Sequence, residues 1–569
     1  MRNSEVANIL YEVADLLELQ GVAFKPQAYR KAAGSIESMT QELDDYRRSK
    51  NLRDIPGVGE AIAKKVEEIV RTGKLRYLEE LRAELPPGLL QLMNVPEIGP
   101  KTAMLLYKDL RVTNLEELRA AAEARRIREL KGFGARSEER ILQGLKLLER
   151  RSGRMLLGYA HPVAMRLREH VAKETGVRLI SLGGSLRRMR ETIGDIDLLA
   201  GSEQADRVMD AFASYPDAEE VLERGPTKSV IRLKDGTQVD LRVVREVEYG
   251  AALQYFTGNK EHNVQLRSIA IDRGMKLNEY GLFRKDGEVV AREREEDIYR
   301  ALGLEVMPPE MREARGEIEA AMRGDLPKLV GMEDIKGDFH VHTLASDGSA
   351  TIEEVALACK AKGYQYVGIT DHSQSLKVAN GLSVDRLRVN MDIARSTSEK
   401  VDGIEVLIGS EVDILEDGRL DYPDDVLAEL DYVVAAVHTK FKMTEKEMTD
   451  RVVSALSSGH VLILAHPTGR LLEQREPYQM DMDRVMQAAK ENGACLELNA
   501  DPNRLDLSDV NCMRAKETGV RVAIGTDAHS VPQLDNMLYG VATARRGWLE
   551  SGDVLNTLSL EDLTDVLRM

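Results

Sequence analysis

The sequence predicts a multidomain protein: an all-α N-terminal region, an α+β middle with a helical extension, and a C-terminal parallel α/β sheet or barrel. Three observations carry this. At 569 residues the chain exceeds what one hydrophobic core serves. Apolar positions in 1–150 recur at helical spacing between Gly and Pro punctuation. Residues 338–569 instead alternate short apolar runs with helical stretches, the rhythm of a parallel sheet. A hydrophobic content of 43% and a charged content of 31% suit a soluble globular chain. The three cysteines, Cys359, Cys495 and Cys512, form no C-x-x-C pair, which argues against a disulfide scaffold or a cysteine-rich zinc site and for a reducing cytosol. The start, "MRNSEVANILYEVADLLELQ", is acidic and amphipathic without a signal-peptide core, and no apolar run is long enough to span a bilayer. The net charge of −17 falls wholly on residues 331–569, whereas 1–330 balance. Such asymmetry points to two bodies with different partners, the acidic one partly neutralised by bound metal.

In the N-terminal region one pattern occurs three times: "IPGVGEAIAKKVEEIV" (55–70), "VPEIGPKTAMLLY" (95–107) and "LKGFGARSEERIL" (130–142). Each places a glycine-bounded turn before a helix, where free backbone N–H groups bind a phosphate without reading sequence. These stretches resemble helix-hairpin-helix clamps on the DNA backbone. The contacts that resemblance implies are Gly57, Gly59, Gly99, Lys101, Gly132 and Gly134. Glu97 stands where that family has its first glycine, and an acid there repels phosphate. A glycine-capped αα-hairpin is the plainer alternative.

In the middle, "GVRLISLGGSLRR" (176–188) reads as a strand entering a Gly-Gly-Ser turn and a basic segment. The next stretch, "IGDIDLLAG" (193–201), reads as a strand whose Asp195 and Asp197 point to one side, and "TQVDLRVV" (237–244) adds Asp240. Three carboxylates on adjacent strands repel one another unless divalent cations lie between them. Two ions about 3.5–4 Å apart are able to activate a 3′-hydroxyl and stabilise a leaving pyrophosphate. Gly184, Ser185 and Arg188 would then hold a triphosphate.

"GGSLRRMRETIGDIDLL", "VDLRV" and "YFTGNKEHNVQLR" resemble the palm and thumb of family X DNA polymerases, the polymerase-beta group. The resemblance implies Asp195, Asp197 and Asp240 as catalytic ligands of Mg²⁺ or Mn²⁺. It implies triphosphate contacts at Ser185 and Arg188, with Arg154 a further one by spacing. Tyr255, Phe256 and Gly258 match the segment that packs against the sugar and disfavours a ribose, and Asn263 matches a contact to the incoming base. Gln238 departs from the family, many of whose members have there an arginine that helps deprotonate the primer hydroxyl; Asn259 and Lys260 replace the usual Ser-Asp. Lys65 occupies the position that, in the polymerase-beta group, forms a Schiff base with an abasic-site sugar. That chemistry needs a neutral amine, which neighbouring Lys64 would favour.

In 338–569, "YVGITDHS", "EVLIGSEVDIL", "YVVAAVHTKF", "VLILAHPTG", "ACLELNA" and "VAIGTDAHS" read as strands that nearly all end in His, Asp or Glu, where α/β barrels build active sites. The set is His340, His342, Asp347, His372, Glu411, His438, His466, Asp527 and His529, including six of the chain's ten histidines. His, Asp and Glu ligation without cysteine suits Zn, Mn or Fe, and nine ligands exceed one tetrahedral site and point to two or three ions, expected to be Zn²⁺ or Mn²⁺. The motifs H-x-H, T-D-H, A-H-P and G-T-D-A-H resemble a PHP (polymerase and histidinol phosphatase) domain, a distorted (β/α)7-type barrel, and every ligand position of that family is filled. The family implies phosphoester hydrolysis. Arg470 is a candidate phosphate contact, and Asp371 and Asp413 are candidate orienters of the ligands.

The expected domains are a lyase-like helical region (1–80), fingers with further hairpins (81–150), palm (151–258), thumb (259–318), linker (319–337) and PHP barrel (338–569). That order matches bacterial and archaeal family X polymerases. It implies a cytosolic monomer that fills gaps in base excision repair, acting on gapped or primed DNA and deoxynucleoside triphosphates. The barrel would process 3′ ends as a 3′–5′ exonuclease, a 3′-phosphatase or an abasic-site nuclease. The alternatives are a small-molecule phosphatase of the histidinol-phosphate type and a non-catalytic DNA-end scaffold.

Overall fold

The computed structural model describes residues 3–22, 24–37, 43, 52–55, 57–86, 88–93, 95, 98–130, 133–134, 137–142, 145 and 154–568. The chain divides into two compact units, Met1–Gly153 and Arg154–Met569. Among the described residues no helix is long and apolar enough to cross a membrane.

The described part of the first unit is helical, around a core that includes Leu10, Leu17, Ile36, Ile69 and Leu106. Gly59 and Gly99 are extended N-caps of the helices Glu60–Thr72 and Pro100–Leu110, and neither offers a side chain to the first amides. Among the described residues, a Cβ at either glycine would meet nothing within 4 Å, which leaves both helix starts open to approach on that side. Gly57 is different: its φ is +81°, and a Cβ there would lie 2.8 Å from Lys31 Cγ. Lys101 is exposed on the first turn of the second helix, and Gly134 is exposed as well. Gly132 and Glu97 lie outside the described residues.

The second unit opens with a five-stranded sheet of β1 (Leu179–Leu182), β2 (Ile196–Gly201), β3 (Ala218–Arg224), β4 (Lys228–Leu233) and β5 (Gln238–Val244), ordered β1-β2-β5-β4-β3. β2 and β5 are parallel and all the other pairs are antiparallel. The helix Leu157–Thr175 covers it through Ala160, Leu167 and Val171. Asp195 is not on the strand where the sequence put it: Thr192–Ile193 pairs with Met155–Leu156, the chain bends at Gly194–Asp195, and the main sheet is joined only from Ile196. Two helices, Tyr249–Thr257 and Lys260–Asp272, follow, and then a small antiparallel sheet of β6 (Met275–Asn278), β7 (Gly281–Arg284) and β8 (Val289–Ala291). Beneath them Glu295 is buried between two guanidiniums, Arg187 at 2.7 Å and Arg312 at 2.5 Å. Burial alone would raise its pKa; the two arginines outweigh that and hold it at about 2.

The third body is a barrel of seven parallel strands in chain order: β9 (Gly337–Val341), β10 (Tyr366–Ile369), β11 (Glu405–Asp413), β12 (Tyr432–Ala436), β13 (Val461–Leu464), β14 (Cys495–Asn499) and β15 (Val522–Gly525). Their near-continuous apolar runs are buried on both faces, as crossover helices require. Capping boxes start two of these helices, Thr351 with Glu354 and Thr444 with Glu447. Closure between first and last strand rests on a bridge from Val341 to Ala528 and on the buried side chain of Asn556. Asn556 donates to the carbonyls of Gly337 (2.9 Å) and Ile524 (2.7 Å) and accepts from the Ile524 amide (2.7 Å).

The barrel and the middle sheet share a core. Leu505 and Tyr539, from barrel loops and helices, are buried with Leu157, Leu198 and Val239. Gly158 lies so close to Pro502 that a Cβ would come within 2.4 Å of it.

Two outcomes follow. Replacing Asn556 with Leu strands three backbone groups and should destabilise the barrel by about 3 kcal/mol in denaturant unfolding, its midpoint moving down; an unmoved midpoint would remove Asn556 from the closure. Because the pKa of Glu295 is depressed, its contribution is full above about 4.5 and is lost as pH falls toward 2. Acid unfolding curves of Glu295→Gln should therefore fall less steeply over that window than those of the wild type.

Candidate active sites

The first site lies at the end of the middle sheet. In the parallel register Asp197 of β2 faces Asp240 of β5, and Asp195 precedes them on the exposed bend. Burial, then Asp240, then Asp195 push the Asp197 carboxyl up to about 6. This is the cost that the sequence pattern implied. Protein cations meet part of it. Lys228 Nζ, from β4, lies 2.9 Å from Asp240, and Gln238 donates to the same carboxylate at 3.0 Å. Lys228 brings positive charge to Asp240 from the neighbouring strand, beside the Gln238 amide. Gly184 is required where it stands: its φ is +56°, and a Cβ would fall 2.5 Å from Asp197 Oδ2.

Beside the acids is a cavity of about 300 Å³ lined by Gly184, Arg188, Tyr255, Phe256, Thr257, Gly258, Asn259, Lys260, Asn263 and Arg267. It gathers six of the residues expected to meet the nucleotide. Tyr255 and Phe256 form a T-shaped pair at 5.1 Å, and the Arg242 guanidinium lies 4.7 Å from the Phe256 ring centroid. The Asn263 amide is already engaged, accepting from Gln254 (2.7 Å) and donating to the Tyr255 carbonyl (2.8 Å). Ser185 is half-buried on the short helix Gly184–Arg187 and does not line the cavity. Arg154 donates to Thr192 Oγ1 at 2.9 Å, next to the bend that carries Asp195. Arg188 is buried: Nε donates to Glu313 (2.9 Å) and Nη1 to the Thr257 carbonyl (2.5 Å).

The second site is at the C-terminal mouth of the barrel, where all nine expected residues meet. His340 and His342 Nε2 are 3.1 Å apart. His342 Nε2 is 3.2 Å from Asp527, and His372 Nδ1 is 2.7 Å from Glu411 Oε2. His438 and His466 Nε2 approach Glu411 Oε1 at 3.2 and 3.0 Å, and His529 Nε2 lies 3.3 Å from Asp347. Three groups hold ligand atoms within 4.8 Å of one another: His342, Asp347, His372 and His529; His340, His342 and Asp527; His372, Glu411 and His438. His342 and His372 each belong to two groups, so the groups are contiguous.

The donor set fits cations. Among the described residues, Glu411 Oε2 and the Nδ1 atoms of His342, His372 and His466 are buried without a hydrogen-bond partner. His372 Nδ1 and Glu411 Oε2 are close yet not in hydrogen-bonding geometry, an arrangement a shared ion explains. Burial lowers the His372 imidazole, but Glu411 and Asp347 outweigh it and raise it to about 10. Burial, and then the charge of His372, bring His342 down to about 4. A protonated, half-neutralised cluster of this kind exchanges its protons for metal.

The supporting residues separate into two kinds. Asp413 accepts from His438 Nδ1 at 2.6 Å, as expected of an orienter. Asp371 touches no imidazole; it ties down the loop after His342 by accepting from the Thr343 amide (2.8 Å), Ser346 Oγ (2.5 Å) and Asn390 (2.9 Å). Arg470 is not a free phosphate contact either: it pairs with Glu191 of the middle region at 2.7 Å. Sequence reasoning missed Glu497, which accepts from His340 Nδ1 (2.5 Å) and the His466 amide (2.6 Å), and Asn499, which donates to Asp527 (3.0 Å). An acid inside the otherwise apolar strand "CLELN" was the available signal for Glu497.

In the first unit, Lys65 is half-buried with its ammonium 4.7 Å from the Tyr77 ring centroid. Lys64 pairs with Glu60 at 3.0 Å, which offsets its charge.

Comparison with known proteins joins these sites. Family models match a helix-hairpin-helix domain at residues 1–75, a SAM-like helix-hairpin-helix tandem at 89–147, a DNA polymerase beta thumb at 252–313 and a PHP domain at 338–501. The chain is 26% identical to DNA polymerase lambda of Rattus norvegicus over 55% of this chain and 56% of that protein. It is 32% identical to a probable phosphatase of Thermoanaerobacter sp. (strain X514) over 39% of this chain and 89% of that one. With the DNA polymerase/3′-5′ exonuclease PolX of Bacillus subtilis (strain 168) it shares 39% identity over 100% of both chains. Similarity at that level from end to end, across both sites, places the chain in the PolX family of DNA polymerase/3′-5′ exonucleases.

Proposed function

We propose that this chain is a DNA polymerase that fills short gaps during base excision repair, and that its barrel removes or cleans 3′ ends as a 3′–5′ exonuclease. The observation that carries the first half is the parallel pairing of Asp197 with Asp240 beside a cavity lined by Gly184, Arg188, Tyr255 and Phe256. Both sites are metal-dependent on this reading, with Mg²⁺ or Mn²⁺ at the three acids and two or three Zn²⁺ or Mn²⁺ at the barrel mouth. When bound, these ions supply Lewis-acid chemistry: they neutralise phosphate oxygens and lower the pKa of the attacking hydroxyl or water.

The protein's own part at the first site is placement. Asp195, Asp197 and Asp240 fix where positive charge gathers, and Lys228 and Gln238 hold Asp240 in its rotamer. Among the described residues Arg188 Nη2 has no acceptor and is offered to the triphosphate, while the Gly184 turn lets phosphate oxygens come close to backbone. The Tyr255–Phe256 pair, backed by Arg242, walls the sugar. At the barrel, Glu497 and Asp413 fix the tautomers of His340 and His438, so that each presents Nε2 to the cluster. In the first unit, the open helix starts at Gly59 and Gly99, with Lys101 beside the second, take DNA phosphates.

The two chemistries separate by mutation. Asp197→Asn should lower incorporation opposite a one-nucleotide gap by about 10³-fold or more and leave 3′–5′ degradation intact, and His342→Ala should do the reverse. If His342→Ala degrades 3′ ends at the wild-type rate, the barrel is not the nuclease. A wild type that turns over small phosphomonoesters but extends no primer would favour the small-molecule phosphatase reading.

The Lys65 ammonium lies 4.7 Å from the Tyr77 ring centroid, a cation–π contact that Schiff-base formation would have to break. On abasic-site DNA, any product trapped by borohydride should disappear in Lys65→Ala; trapping that persists there would assign the chemistry to another amine.

A further inference from the structure

We infer that the barrel takes part in nucleotide binding by the polymerase site, with Arg546 as a positioning residue for the triphosphate-binding Arg188. Resting on the polymerase reading above, the inference adds to it a residue from the other catalytic body.

Arg546 closes the barrel helix Met537–Arg546, and its side chain is 4% exposed. One terminal nitrogen, Nη1, donates both to the backbone carbonyl of Arg188 (2.8 Å) and to Glu313 Oε1 (3.0 Å). The other, Nη2, donates to Asp509 at 2.6 Å. Asp509 opens the barrel helix Asp509–Thr518 and also receives Arg315 at 3.1 Å. Glu313 is the hub. It accepts from Arg188 Nε (2.9 Å), Arg190 Nη1 (3.0 Å), Asn259 Nδ2 (3.3 Å) and Arg546, with 5% of its side chain exposed. Arg188 is thus fixed at two places by groups that converge on Arg546: its carbonyl directly, and its guanidinium through the shared carboxylate.

The charges give the arrangement a direction. Three guanidiniums, those of Arg188, Arg190 and Arg546, face the single carboxylate of Glu313. Burial raises the Glu313 pKa, and Arg546 and Arg188 more than offset it and hold it at about 2, so Glu313 stays an anion across the physiological range. The surplus of positive charge leaves Arg188 only partly neutralised, with Nη2 unused by any acceptor among the described residues, next to the cavity. Without Arg546, Glu313 would bear more closely on Arg188 and Arg190, and the Arg188 carbonyl would lose its donor. The incoming triphosphate would then compete with a stronger internal pair for a less ordered arginine. Ground-state nucleotide affinity is the quantity that suffers, because Arg546 touches neither the acids nor the cavity.

The test uses the full-length enzyme on one-nucleotide-gapped DNA, with nucleotide titrated. In Arg546→Gln the KM for the nucleotide should rise about tenfold while kcat stays within about twofold and the rate of 3′–5′ degradation is unchanged. Arg546→Lys, which reaches one acceptor but not all three, should fall between. Should Arg546→Gln fail to fold, Asp509→Asn releases the same guanidinium from its barrel-side anchor and should raise KM in the same sense. A wild-type KM in the folded variants overturns the inference, as does a loss of gap filling and degradation in parallel, which marks general damage to the barrel. No incorporation by the wild type would instead sink the polymerase reading itself.

Discussion

Buried like charge that no protein partner fully cancels is the constraint around which the second unit is built. At the middle sheet, parallel strands force Asp197 and Asp240 side by side, and Arg242, Lys228 and the Gln238 amide relieve them only in part. At the barrel mouth, the strand ends bring five imidazoles to within hydrogen-bonding range of Glu411 or Asp527, and several ring nitrogens find no partner. Neither arrangement is tolerable in a closed apolar interior. Each lies at a sheet end, where cations and phosphates have access, and the rest of the scaffold serves to hold the ligands still.

That holding is done by groups farther out. Glu497, Asp413 and Asn499 aim histidines and an aspartate inside the barrel, and Asp371 pins the loop that follows His342. Around Arg188 the same task falls to Glu313 and, across a domain boundary, to Arg546. Precision at both centres is therefore a property of the whole second unit.

How much of this was legible in the sequence depended on how local the signal was. The barrel strands and their nine polar ends were readable because each motif joins a buried apolar run to a ligand within a few residues, and strand order in the barrel follows chain order. The cavity beside the acids was readable through one contiguous block, 255–263, and one turn at Gly184. Asp195 was misplaced because alternation continues through "IGDID" although the chain changes ladders at Gly194. Arg470 was misread because a loop arginine carries no periodicity, and its partner Glu191 lies 279 positions away. A separation of 233 positions likewise hid Arg546 from Glu313, since nothing near either residue marks the other. Glu497 lay in plain view in a quoted strand, but its role as an acceptor for His340 exists only once β9 and β14 are brought into one barrel.

The core shared through Leu505 and Tyr539 bears on how such a protein is able to change over time. Those side chains complete the interior of the nucleotide-joining half while belonging to the phosphoester-cutting half. Losing the barrel by truncation would leave an oily notch along the sheet that water must fill. A lineage that discards the nuclease would thus need new residues to cap that notch at the same step, which makes the fused arrangement easier to keep than to undo.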